Sequence, residues 1–227
     1  MRMGVLGTGS VGRALSSKLA EVGHEVVMGT RDVDALMART DTGYDRSPPF
    51  VEWLAGQPAI RVAPFAEAGP HGEMLWNATV GTGSVDALGA AGPDHLGGKV
   101  VVDVSNPLDF SRGMPPSLFV CNTDSLGEQL QRAFPQARVV KTLNTVNAGV
   151  MVDPVGLGGG DHHVFVSGDD PEAKAAVTEI LTAGFGWRHV IDLGGIASAR
   201  AVEMYLPLIV TLFGVMGTSD VNIKVVR

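Results

Sequence analysis

A chain of 227 residues with 45% hydrophobic content and 30 glycines has the size of one large domain, or of a dinucleotide-binding domain with a small appendage, and can bury a sizeable core. Its net charge of -7 argues against non-specific nucleic-acid binding, which depends on neutralising phosphates, so no nucleic-acid partner is expected. Cys121 is the single cysteine, which excludes an intramolecular disulfide, and a first strand beginning almost at Met1 leaves no room for a signal peptide, so a cytoplasmic protein is expected.

Met3 to Leu6 is a short apolar run, Gly7-Thr8-Gly9-Ser10-Val11-Gly12 reads G-x-G-x-x-G, and Val11 to Ala20 carries apolar residues at helical spacing. This is strand, glycine turn and helix. In a dinucleotide-binding turn Gly7 allows the tight bend, Gly9 lets the backbone approach a pyrophosphate, and Gly12 lets the helix pack closely on the strand. Free N–H groups at the helix start, with the positive end of its dipole, then form an anion site. The phosphate loop of nucleotide hydrolases needs Lys and then Ser or Thr after its last glycine; Arg13 and Ala14 stand there, which excludes it.

The second strand, His24 to Gly29, runs out into Thr30-Arg31 where an NAD-preferring site would place an acid for the ribose hydroxyl. A hydroxyl and a guanidinium suit a dianionic 2′-phosphate, so NADP is the expected cofactor, with Asp32 read as the cap of a helix from Val33 to Arg39. Thr40 to Pro49 is expected to be an exposed loop, followed by a short helix from Phe50 to Ala55 whose Phe50, Trp53 and Leu54 face the core.

Ala59 to Ala63 is the third strand, Pro64 opens a helix, and Glu73 to Val80 is the fourth strand. Ligands of open parallel sheets sit outside the carboxyl ends of the strands, which makes Thr79 and Val80 candidate cofactor contacts; Gly81 to Ser84 is read as a helix cap. Lys99 to Val104, the fifth strand, stops at Ser105-Asn106-Pro107-Leu108, where Asn106 and Pro107 either hold a nicotinamide ring or form an ordinary turn. Asp109 to Pro116, with Arg112, is an irregular loop suited to a lid or substrate loop.

A helix from Ser125 to Phe134 and a sixth strand from Ala137 to Thr142 complete an alternating pattern that implies right-handed crossovers: an α/β, Rossmann-type, doubly wound and mostly parallel sheet. Residues 1–142 are thus expected to form the NADP-binding domain and 143–227 a smaller C-terminal α/β domain. The second unit comprises a strand from His163 to Ser167, a helix from Pro171 to Ala183, a strand from Arg188 to Ile191, a helix from Ile196 to Met216 and a closing strand from Asn222 to Val226. The uncharged run from Met204 to Ser219 contains Pro207, Gly214 and Gly217 and is read as a buried helix, with no membrane partner expected.

The chain resembles, over nearly its whole length, the NADP-dependent oxidoreductases that reduce or oxidise a deazaflavin coenzyme. The likeness rests on Gly7 to Gly12, Gly29-Thr30-Arg31, Val101 to Leu108, Lys141-Thr142-Leu143-Asn144-Thr145, Val166 to Asp170, Asp192-Leu193-Gly194 and Glu203-Met204. The resemblance implies an NADP site at Thr8, Gly9, Ser10, Val11, Thr30 and Arg31, and a deazaflavin against the nicotinamide near Asn106 and Asn144, the latter a candidate substrate contact. The chain departs from the family in its insertion at Thr40 to Gln57 and in its long Asp109 to Pro116 loop.

Hydride transfer between two ring cofactors needs orientation and water exclusion more than side-chain acids, so no catalytic residue is assigned. The Tyr and Lys, four apart, of short-chain carbonyl reductases are absent: Tyr44 is followed at that distance by Pro48, and Tyr205 by Ile209. A different carbonyl or imine reductase would recruit Lys141, His163 or Arg112, and a third reading is a non-catalytic NADP-sensing module. Adjacent His162 and His163 on a strand point to opposite faces, so no metal site is expected. Cys121 is read as buried, and a homo-oligomer is expected through the apolar 196–216 helix.

Overall fold

In the computed structural model, residues 1–42 and 47–227 are described; Tyr44 and the middle of the expected Thr40 to Pro49 loop lie outside them. The first half alternates strand and helix: β1 (Arg2–Leu6), α1 (Ser10–Glu21), β2 (Glu25–Thr30), α2 (Val33–Met37), α3 (Phe50–Ala55), β3 (Ile60–Pro64), α4 (Phe65–His71), β4 (Met74–Asn77), α5 (Ser84–Ala90) and β5 (Val100–Asp103). A short hairpin of β6 (Leu108–Asp109) and β7 (Ser117–Leu118) frames the predicted irregular loop, and α6 (Leu126–Ala133) and β8 (Arg138–Thr142) follow. Asp32 caps α2 by accepting from the Ala35 N–H, and Ser125 caps α6 by accepting from the Glu128 N–H.

Beyond β8 come α7 (Ala148–Val152), β9 (Val164–Ser167), α8 (Pro171–Glu179), β10 (Val190–Asp192), α9 (Ala199–Met204) and α10 (Leu206–Met216). Among the described residues, eight strands form one sheet in the order β10-β9-β8-β5-β4-β1-β2-β3, parallel except that β9 runs antiparallel to β8. The strands after Thr142 therefore extend the first sheet.

Strand periodicity of two divides the core between the two faces of this sheet. Met3, Val5, Val26, Met28, Trp76 and Val102 belong to a cluster with Leu15, Leu19 and Val177. Leu6, Val27, Leu75, Val101 and Val139 belong to a second cluster with Ala68, Leu88, Leu126 and Leu130. Helices on both faces of a mostly parallel sheet are the doubly wound arrangement that the alternation predicts.

Four expectations are corrected. The fourth strand stops at Asn77, because Asn77 turns its side chain into buried hydrogen bonds and Thr79 folds back onto it. Residues 222–226 form no strand; this tail is held by isolated contacts such as the His163 N–H to the Ile223 carbonyl, at 3.1 Å. The 196–216 helix is broken at Tyr205, between α9 and α10, and its last part is exposed, with Val215 77% and Met216 62% accessible. By length and composition alone, Ile196–Met216 is long and apolar enough to cross a membrane. Cys121 is also exposed, on the loop before α6, and not buried.

Candidate cofactor site

The glycine turn is built from backbone. Gly7 takes a φ of 116°, and a Cβ there would lie 2.4 Å from the Ala78 carbonyl oxygen. A Cβ on Gly12 would lie 2.1 Å from the Gly7 carbonyl oxygen, so the first turn of α1 fits against β1 only without a side chain. Around Gly9, by contrast, a Cβ would meet nothing within 4 Å. Helix α1 starts there without a side-chain cap and without an acid in its first turn. Uncapped N–H groups, a helix dipole and open space over Gly9 suit a diphosphate, so the residues present fit the cofactor.

Thr30 and the exposed Arg31 close β2 next to this turn, since β2 pairs directly with β1 (Leu6 opposite Gly29). The segment after the expected loop returns to the same place. Arg13, in the first turns of α1, lies 5.1 Å from the Phe50 ring centre and 5.7 Å from that of Trp53. It also donates to the Pro48 carbonyl at 2.6 Å and to the Thr8 carbonyl at 3.3 Å. The segment from Pro48 to Trp53 thus packs against the glycine turn through Arg13. The signal available in the sequence was Arg13 directly after the last glycine, with Phe50 and Trp53 three apart.

The other end of the cleft is built from side chains. Asn77, Asp103 and Lys141 are in register on β4, β5 and β8, and all three are fully buried. The Lys141 ammonium reaches the Asp103 carboxylate at 2.8 Å, the Glu203 carboxylate of α9 at 2.9 Å and the Ser105 carbonyl at 2.6 Å. Burial alone would lower its pKa, but the Asp103 and Glu203 carboxylates outweigh burial and hold it above the ordinary lysine range. Asp103 also accepts from Asn77 at 2.8 Å and from the Ser105 hydroxyl at 2.6 Å, while Glu203 accepts the Leu126 and Gly127 N–H groups at 2.8 and 3.0 Å.

This network reaches the cleft at two predicted residues. Thr79 donates its hydroxyl to Asn77 at 2.7 Å, leaving Val80, 76% accessible, on the cleft surface. Asn106 donates to the Asn144 carbonyl at 2.8 Å and accepts from the Asn144 amide at 3.0 Å; that amide also donates to the Val202 carbonyl at 3.1 Å. Leu143, with a φ of 60°, makes the left-handed turn that leads from β8 into Asn144. Asn144 is only 3% accessible and Pro107 is buried. The sequence signal for the network was a polar residue near the end of each otherwise apolar central strand.

Gly7, Thr8, Gly9, Ser10, Val11, Gly12, Thr30, Arg31, Thr79, Val80, Asn106 and Pro107 therefore all stand at the carboxyl ends of β1, β2, β4 and β5, with Asn144 behind Asn106. Lys141 is sealed from the cleft, Arg112 is exposed on the β6–β7 hairpin, and His163 is occupied by the tail, accepting the Val225 N–H at 3.2 Å. Two cavities, of about 850 and 420 Å³, open elsewhere: one is lined by Arg138 and Asp170, the other by His24 and Met74, at the opposite end of the sheet. Neither contains a cleft residue, and the strand-end geometry of the fold outweighs their size as a guide to the site. Among the described residues, no group of His, Cys, Asp and Glu is placed to hold a metal ion.

Residues 2–107 match the model of the family described as NADP oxidoreductase coenzyme F420-dependent. A crystal structure from Arthrobacter sp. FB24, assigned to the F420-dependent NADP reductases, is 52% identical, covers 100% of both chains and superposes with a TM-score of 0.95. The F420-dependent NADP reductase of Methanothermobacter marburgensis is 26% identical over 93% of this chain and 92% of its own length. The rat metalloreductase STEAP3 is 31% identical over 89% of this chain, which spans only 36% of that protein's length.

Proposed function

Because the chain belongs to the coenzyme F420-dependent NADP oxidoreductases, we propose that it transfers a hydride between NADP(H) and a deazaflavin coenzyme. The observation that carries this reading is the uncapped start of α1 over an open Gly9, flanked by Thr30 and Arg31 at the end of β2. The amides of Ser10, Val11 and Gly12 would hold the diphosphate, and Thr30 and Arg31 the 2′-phosphate that marks NADP. Thr79, Val80, Asn106 and Pro107 would border the nicotinamide, with Asn144 fixing Asn106 from behind.

When bound, the two ring systems would supply the chemistry: hydride transfer from NADPH to the deazaflavin, with a proton completing the deazaflavin's reduction. This chain's task is to orient the rings and exclude water. No side-chain acid is called for, and among the described residues none is poised at the ring end. Lys141 is enclosed by three acceptors, and burial pushes the Tyr205 phenol up to about 12. The same two facts disfavour reduction of a small carbonyl or imine, which needs a proton donor at the reacting centre.

Division at Thr142 is functional in this reading: residues 1–142 hold NADP, and 143–227 supply the wall behind Asn106. Exposed Leu208, Val215 and Met216 on α10 support a homodimer through this helix. A membrane span is disfavoured because the stretch includes Arg200 and Glu203, both committed to ion pairs inside the fold. We read the protein as a cytoplasmic dimer, and a monomer by light scattering would remove the dimer. The activity is tested by mixing the protein with NADPH and deazaflavin, flavin, quinone and ferric acceptors. Deazaflavin reduction is expected. Turnover on small carbonyls or imines alone would overturn it, and tight NADPH binding without any turnover would favour a sensing role.

A further inference from the structure

The buried charge cluster lies behind the same wall as the proposed ring site, and, besides the branch through Asn77 to Thr79, its connections run toward Asn106. Lys141 satisfies its three ammonium donors on Asp103, Glu203 and the Ser105 carbonyl, so it ties the end of β5 to α9. Each tie continues toward Asn106. From Ser105, the next residue along the chain is Asn106 itself. From Glu203, the preceding residue is Val202, whose carbonyl accepts from Asn144, and Asn144 in turn meets Asn106 by a reciprocal pair of hydrogen bonds. Gly81 closes the other side, since a Cβ there would lie 2.0 Å from the Asn106 carbonyl oxygen.

We propose that the Asp103–Lys141–Glu203 cluster is a positioning device for the reaction: it sets the place of Asn106 against the nicotinamide through Ser105 on one side and Val202–Asn144 on the other. This deepens the functional reading and rests on it. A cluster needed only for packing would not require both branches to converge on one half-buried amide. Glu203 is itself oriented by the Leu126 and Gly127 amides at the start of α6, so the anchor point is rigid. An amide held by reciprocal hydrogen bonds to Asn144, on a backbone closed in by Gly81, has little freedom to swing, and small displacements at a hydride-transfer wall cost rate out of proportion to binding.

The test compares Asn106→Ala, Lys141→Met, Glu203→Gln and Asn144→Ala, together with each of the last three combined with Asn106→Ala. NADPH binding is followed by titration, deazaflavin reduction by steady-state kinetics, and the Asn106 side-chain amide by NMR. The expected result is a kcat about 10-fold or more lower in each single variant, with the KM for NADPH within about 3-fold and the Asn106 amide resonances shifted. Added to Asn106→Ala, the same changes should cost less than about 2-fold further, because the residue they act through is gone. If Lys141→Met does not fold, Glu203→Gln and Asn144→Ala decide the matter. Losses that multiply with Asn106→Ala, or unmoved Asn106 resonances, would overturn the proposal. If the unmodified protein binds NADPH but reduces no deazaflavin, the functional reading fails instead, and the NMR comparison still reports on the network.

Discussion

The two ends of the cleft solve the problem of rigidity differently. At the glycine-turn end, proposed to hold the phosphates, shape comes from the main chain: Gly7 and Gly12 leave no room for a Cβ, and the free donors are amides at the start of a helix. At the ring end, shape comes from side chains that meet only in the folded molecule, with Asn77, Asp103 and Lys141 on three strands and Glu203 on a helix about 60 residues further along the chain than Lys141. A backbone site is fixed by a few neighbouring residues; a side-chain site needs the whole sheet to be in register.

That contrast predicts a ranking of effects. The largest belongs to the ring end: Lys141→Met leaves two buried carboxylates without their cation, and stability should fall by about 3–5 kcal/mol in chemical denaturation. Retained stability would mean that the cluster is not held as described. Next is Gly12→Ala, whose new methyl would press on the Gly7 carbonyl. A loss of about 2–3 kcal/mol is expected, together with weakened NADPH binding by calorimetry, and unchanged binding would show that the turn has slack.

Arg31→Ala should leave stability alone and weaken NADPH by about 2 kcal/mol, the scale of one charged hydrogen bond, while barely touching NADH. Equal losses for both would remove the 2′-phosphate assignment. The smallest effect lies in the tail. His163 accepts the Val225 N–H, and burial together with neighbouring His189 holds its pKa below 6.5. The folded state therefore favours neutral His163; this contribution is complete above pH 6.5 and is lost as the pH falls through the depressed value. Amide exchange at Val225 should quicken on acidification in the parent, with a flatter response in His163→Gln.

The same contrast explains what could be read from the sequence. The glycine turn, Thr30-Arg31 and the alternation through β8 were legible because each depends on residues close in the chain. Asp32 announced its cap for the same reason. The ring end was only half legible. Asn106 was visible as a polar residue beyond a strand and Asn144 only through the family resemblance, but their mutual bonds, and the burial of Lys141 between Asp103 and Glu203, depend on sheet order. The uncharged run from Met204 to Ser219 suggested burial, yet nothing local tells a core helix from one left for a partner. Likewise, Phe50 and Trp53 read as core, and only the fold shows that Arg13 lies against them.

The most direct test of the functional account follows the transferred hydrogen in a single turnover of enzyme mixed with deazaflavin and NADPH deuterated at its transferable position. Bleaching of the deazaflavin, with deuterium recovered on its ring carbon, is the predicted result. An unbleached deazaflavin, or label found only in NADPH and water, would contradict it.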